Sequence, residues 1–206
     1  MFALVEDGSI TKFLSGNKGI TIGDNQYPKA IFTLWTKSER EAIGIYEVEM
    51  DISKFKDEKW YINTNITYSF GSGKVTGSYG DATAKAHADT LYTAQDETDG
   101  LGTEGEVKAE GLKTILIRNV KAQANQLLSE TDWYVTRKTE KSTAIPSNIT
   151  TWRNGIRSKQ AAMETSITNA NDTPALETLY TYVNTADEGD PVVIERPLGE
   201  FPELGS

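Results

Sequence analysis

Over the first 80 residues, apolar and polar side chains alternate in short runs broken by glycine and aspartate, the period of half-buried strands. "MFALV" and "ITKFL" flank Asp7-Gly8, a pair suited to the positive backbone angles of a tight turn, and so predict a β-hairpin. "AIFTLW", Ala30 to Trp35, sets Ile31, Thr33 and Trp35 against Phe32 and Leu34 and reads as a strand; "KSEREAIG" after it reads as one helical turn. "IGIYEVEMD" places Ile43, Ile45 and Glu47 on one face and Tyr46, Val48 and Met50 on the other, again a strand. The clearest hairpin signal joins "EKWYINTNITYSF" to "GSGKVTGSYG", with its turn at Gly71 to Gly73 and a first arm rich in Thr, Tyr, Phe and Ile.

From Leu112 the period changes. Leu112, Leu116, Val120, Ala124 and Leu127-Leu128 recur every three or four residues, which predicts an amphipathic helix of about 17 residues. Asp132-Trp133 reads as its end, with the Asp132 carboxylate bonding local backbone donors and Trp133 folding back over the helix pair. "VTRKTEKSTAIP" then reads as a polar connection. A second helix follows Pro146, with Ser147 or Asn148 as its cap and Ile149, Trp152, Ile156, Met163 and Ile167 as its stripe. A third is capped by Asp172 or Thr173, has Pro174 in its first turn, and presents Leu176, Leu179, Tyr180 and Val183.

Between these regions, residues 81–111 hold alanines, acids and glycines with few large apolar groups, the composition of an extended linker or partner-supported arm. The chain therefore reads as α+β: an antiparallel β-rich module over 1–80, an acidic, glycine-rich linker over 81–111, and a helical domain over 112–185. That domain is a helical hairpin plus a third short helix. Residues 186–206 read as an extended tail with "VVIE" as its one strand-like piece. No internal repeat is evident.

Charge narrows the function. The net charge of −9 repels phosphate backbones, and the basic residues are scattered, which argues against nucleic-acid binding. Charge appears at Glu6, ahead of any signal-peptide hydrophobic region, and no apolar run approaches bilayer length, so a membrane partner is not expected. The absence of cysteine removes disulfides and thiolate chemistry.

The candidate chemistry is weak at each position. His87 is the sole histidine, so a zinc site lacks ligands. Asp96, Glu97, Asp99, Glu104 and Glu106 miss the alternation of a calcium loop and read as a solvated acidic segment. "GSGKVTGS" departs from the phosphate-loop spacing and sits in a hairpin, while "GLGTEG" has no strand–helix context for dinucleotide binding. Nothing in the spacing brings Asp96 and Asp132 to one substrate, and no Gly-x-Ser-x-Gly elbow occurs. Arg153 and Arg157 lie one helical turn apart, opposite the apolar stripe, and read as a solvated or partner-facing charged side. No catalytic, cofactor-binding or metal residue is assigned.

One resemblance runs through the helical region. "LLSETDWYV", a polar gap, a proline and "WRNGIR" resemble the C-terminal domain of bacteriophage tail-fibre assembly and tail-assembly chaperone proteins. The matching residues are Leu127, Leu128, Thr131, Asp132 and Trp133, then Trp152, Arg153 and Arg157. "FALVEDGSI" and "YPKAIFTLWTKSEREAIGIYEVE" look like the small β-rich head of related phage tail proteins. The resemblance implies a non-enzymatic protein that binds phage tail or tail-fibre proteins in the host cytoplasm during assembly, without a cofactor. Leu127, Leu128, Asp132, Trp133, Trp152, Arg153, Ile156 and Arg157 are the structural and interface candidates. A single proline in the gap and a long middle segment also fit a virion-resident tail or fibre protein, one that is a homo-oligomer in a symmetric assembly.

Overall fold

The computed structural model describes residues 1–205. The chain forms two compact units, Met1–Thr83 and the remainder from Ala84, and combines strands with helices in an α+β fold. No helix among the described residues is long and apolar enough to cross a membrane.

The first unit contains β1 (Phe2–Glu6), β2 (Ser9–Leu14), β3 (Ile20–Ile22), β4 (Asn25–Tyr27), α1 (Ile31–Leu34), α2 (Lys37–Glu41), β5 (Ile45–Asp51), β6 (Tyr61–Ile62), β7 (Thr67–Gly71), β8 (Lys74–Ser78) and β9, which begins at Thr83. The main sheet has five strands in the order β2-β1-β5-β8-β7, with only β5 and β8 parallel. Both expected hairpins form. Asp7-Gly8 and Ser72-Gly73 have positive φ at both positions, the turn whose twist matches the flanking strands. The outer strands approach each other, with the rings of Phe13 on β2 and Tyr68 on β7 4.6 Å apart, so the sheet curls toward closure.

Alternation along β1 and β5 divides the core. Ala3, Val5 and Val75 pack with Tyr46, Val48 and Phe70 on one face. Leu4 and Ile45 pack on the other, against Ile20, Ile31 and Phe32. The second cluster explains why "AIFTLW" is a helical turn and not the expected strand. Ile31 and Phe32 are adjacent and both buried in this one cluster, which a helix allows and a strand, sending neighbours to opposite faces, does not. α2 follows as expected, closed by a reciprocal Thr36–Glu39 capping box. The first arm of the second hairpin is shorter than its sequence suggests. Only Thr67–Gly71 pairs with β8, while Trp60 and Tyr61, upstream, are buried.

The second unit contains β10 (Thr90–Leu91), α3 (Ala94–Thr98), β11 (Val107–Ala109), α4 (Leu112–Ser129), α5 (Asp132–Lys141), α6 (Ser147–Asn169), α7 (Thr173–Tyr180), β12 (Val183–Asn184) and β13 (Ile194–Glu195). α4 and α6 run antiparallel, joined at one end by Lys113 Nζ donating to Thr168 O at 2.8 Å and further along by Lys121–Glu164. Their buried residues are the expected stripes: Leu112, Leu116, Val120 and Ala124 on α4, with Ile149, Trp152, Ile156, Met163 and Ile167 on α6. Asp172 caps α7 by accepting from the Ala175 amide, and Leu176 is fully buried. The expected apolar side of α7 stops short of Val183, which lies in β12. The expected side-chain cap of α6 is also absent. Pro146 holds the cap position and Ser147 is already helical.

Residues 84–111 are more ordered than a linker. β10 pairs with β11, and α3 between them carries a Thr93–Asp96 capping box. The Asp96 carboxylate also meets Lys108 at 2.6 Å. Upstream, the chain closes the N-terminus of α4: Ala86 O and His87 O accept from the amides of Leu112 and Lys113, and Asp89 accepts from the Gly111 amide and the Thr114 hydroxyl. The approach is so close that a Cβ on Gly111 would lie 2.3 Å from the Ala88 carbonyl. Backbone bonds and caps, which leave little trace in hydrophobic periodicity, order this segment.

Both acids titrate low. The Gly111 amide and Thr114 hydroxyl hold Asp89 below its ordinary value, and Lys108 with Thr93 lowers Asp96 to about 2. Each therefore contributes stability above the ordinary carboxylate value of 3.8, which is lost as pH falls through the lowered one. The double variant D89N/D96N should unfold at lower urea than the parent at neutral pH, and the difference should shrink as pH falls from about 4 to about 2. A difference independent of pH would show that these carboxylates do not hold the segment.

Candidate interaction site

The quoted candidates converge on the elbow after α4. That helix ends at Ser129, and after two residues the chain enters another helix, α5, where the sequence suggests a break and a polar connection. "DWYVTRKTEK" contains no glycine or proline, starts with an acid and ends with Lys138 and Lys141, an order that complements the helix dipole. Its few apolar residues form no core-facing stripe, and none of its residues is buried. That is why it reads as a loop.

Arg153 fixes the elbow. It is 7% exposed, a correction to the solvated charged side expected from its spacing with Arg157. Its Nη1 donates to Leu128 O at 2.8 Å and to Thr131 Oγ1 at 2.7 Å. Its Nη2 donates to Asp132 Oδ1 at 2.8 Å. Asp132, expected to bond backbone donors, is thus the ion-pair partner of an arginine on α6. Thr131 is buried and also donates to Leu128 O. Arg157 remains exposed and borders an open groove of about 620 Å³ shared with Asn125, Gln160 and Glu164.

The two tryptophans have opposite fates. Trp152 is 6% exposed and packs with Ala124 and Ile156, flanked by Leu127, Leu128 and Phe201. Its Nε1 donates to Pro202 O at 2.8 Å, so part of the tail lies against the helix pair. Trp133, expected to fold back over that pair, is instead 51% exposed. Its ring lies 3.7 Å from that of Tyr134. The Arg137 guanidinium sits 4.8 Å from the Trp133 ring and 5.1 Å from the Tyr134 ring. The Arg137 Nε is buried without a hydrogen-bond acceptor, and the two rings supply the contact an acceptor would otherwise make.

The sequence reading missed Tyr134 and Arg137, although their spacings from Trp133 and from each other put Arg137 one helical turn from both rings once a helix is assumed. It had no signal for Phe201 and Pro202, fifty residues from their partner. The Asp132 carboxylate is engaged by Arg153, Asp96 by Lys108 and Thr93, and His87 offers its backbone carbonyl to α4. No group of three or more His, Asp or Glu side chains among the described residues is placed to hold a metal.

Trp152→Ala should cost about 3–5 kcal/mol of unfolding free energy, the range for truncating a buried large aromatic. Trp133→Ala should change it by less than about 0.5 kcal/mol, as at an exposed position. Urea denaturation followed by circular dichroism measures both, and equal costs would contradict the two placements.

No protein-family model, curated protein sequence or solved structure matches this chain.

Proposed function

We propose that this chain is a non-enzymatic phage tail or tail-fibre assembly protein that acts by binding another protein. The observation that carries the binding role is α5. It is a helix of ten residues with no fully buried residue, held by the Arg153 contacts, with Trp133 exposed and Tyr134 and Arg137 half-buried beside it. Tryptophan, tyrosine and arginine are the residues enriched at the energetic centres of protein interfaces. The link to phage tails comes from the sequence resemblance at Leu127 to Trp133 and Trp152 to Arg157. In this role Trp152, Ile156 and Leu128 hold the hairpin together while α5 meets apolar surface on a tail or fibre protein in the host cytoplasm.

A virion-resident role in the tail or fibre is the second reading, favoured by the ribbon of β12 and β13. Val183, Val192, Val193 and Ile194 are exposed on it, and a permanent neighbour would cover them.

Mass spectrometry of purified phage particles, compared with the lysate in which they assembled, tests the proposal. Abundance in the lysate with absence from particles is the expected result for an assembly chaperone. A fixed copy number per particle selects the virion-resident role. Presence in neither would overturn both.

A further inference from the structure

Two surfaces of the second unit lack a partner, and their chemistries are opposite. The first is α5, where Trp133 and Tyr134 lie beside Arg137, Lys138 and Lys141. Asp132 is matched by Arg153, which leaves Glu140 as the only other carboxylate on the helix. On a chain of net charge −9 this is a locally cationic aromatic face.

The second is the ribbon from Thr181 to Glu195. It carries Asp187, Glu188, Asp190 and Glu195 and no lysine or arginine. Tyr182, Val183, Val192, Val193 and Ile194 are all exposed. β12 and β13 pair only with each other, through Val183↔Glu195 and Asn184↔Ile194. A two-stranded ribbon of this size is marginal in water without a covering surface; the Arg196 guanidinium lies over the Tyr182 ring, while the valines and Ile194 stay exposed. Pairing with an identical ribbon would set carboxylates against carboxylates. The surface that fits it is cationic and aromatic.

We propose that the 181–195 ribbon of one copy of this chain docks on the α5 face of a second copy. The valines and Ile194 cover Trp133 and Tyr134, and the acidic tip at Asp187, Glu188 and Asp190 meets Arg137, Lys138 and Lys141. This takes over the reading of α5 as a docking face and names one occupant for it. The contact joins two different surfaces, so it repeats head to tail, giving a ring if the rotation closes and an open chain if it does not. Its charged component weakens as salt screens it.

Sedimentation velocity of the purified full chain, with no phage component present, tests this. The average mass should rise with concentration and fall with added salt. The variants R137E/K138E/K141E and D187K/E188K/D190K should each remain monomeric, because each sets like charges on both surfaces. An equimolar mixture of the two should associate again. Trp133→Ser, which leaves every charge in place, should also weaken association of the parent. A chain that stays monomeric at every concentration and salt overturns the proposal, as does an oligomer that both charge reversals leave intact. Either failure leaves the distribution between particles and lysate unchanged, so it is distinguishable from failure of the proposed function.

Discussion

One guanidinium holds the elbow from which α5 departs. Leu128 O lies in the last turn of α4 and also accepts from the Thr131 amide and hydroxyl. Arg153 donates to it, and the positive charge lies where the helix dipole favours a cation. The same group engages Thr131 and Asp132, the residues that end one helix and open the next. Burying an arginine is costly unless its bonds are well made. Here its acceptors are a carbonyl, a hydroxyl and a carboxylate, each forming a charge-assisted hydrogen bond. The apolar stripes of α4 and α6 bring the helices together, and Arg153 sets the direction in which the chain leaves them.

Beyond these stripes, the second unit is ordered largely by terminal contacts. Residues 86–89 close the start of α4, the Thr93–Asp96 box starts α3, and Pro202 O accepts from Trp152. These devices let a polar sequence keep regular structure with a modest core. They also leave α5 and the β12–β13 ribbon with little to pack against.

Strong periodicity made much of the fold legible in the sequence. The α4 and α6 stripes, both glycine-containing hairpin turns of the main sheet and the Asp172 cap follow from local rules. The failures have separate causes. Ile31 and Phe32 form a helical turn because one cluster takes both. α5 is polar enough to pass for a loop because it buries nothing. Residues 84–111 fold on carbonyls and caps that hydropathy does not register. At the candidate site, Trp152 and Ile156 were legible as an apolar stripe. The inward turn of Arg153 and outward turn of Trp133 were not, because spacing alone does not say which flank of a helix meets the elbow.

Arg153 mounts α5. Amide hydrogen exchange of the parent and of Arg153→Met tests it most directly. Losing the charge-assisted bonds, worth about 1.5–3 kcal/mol, should speed exchange across Asp132–Lys141 by roughly 10- to 100-fold, while the α4 and α6 amides near Val120 and Met163 keep their protection. Equal protection of α5 in both proteins would contradict the account.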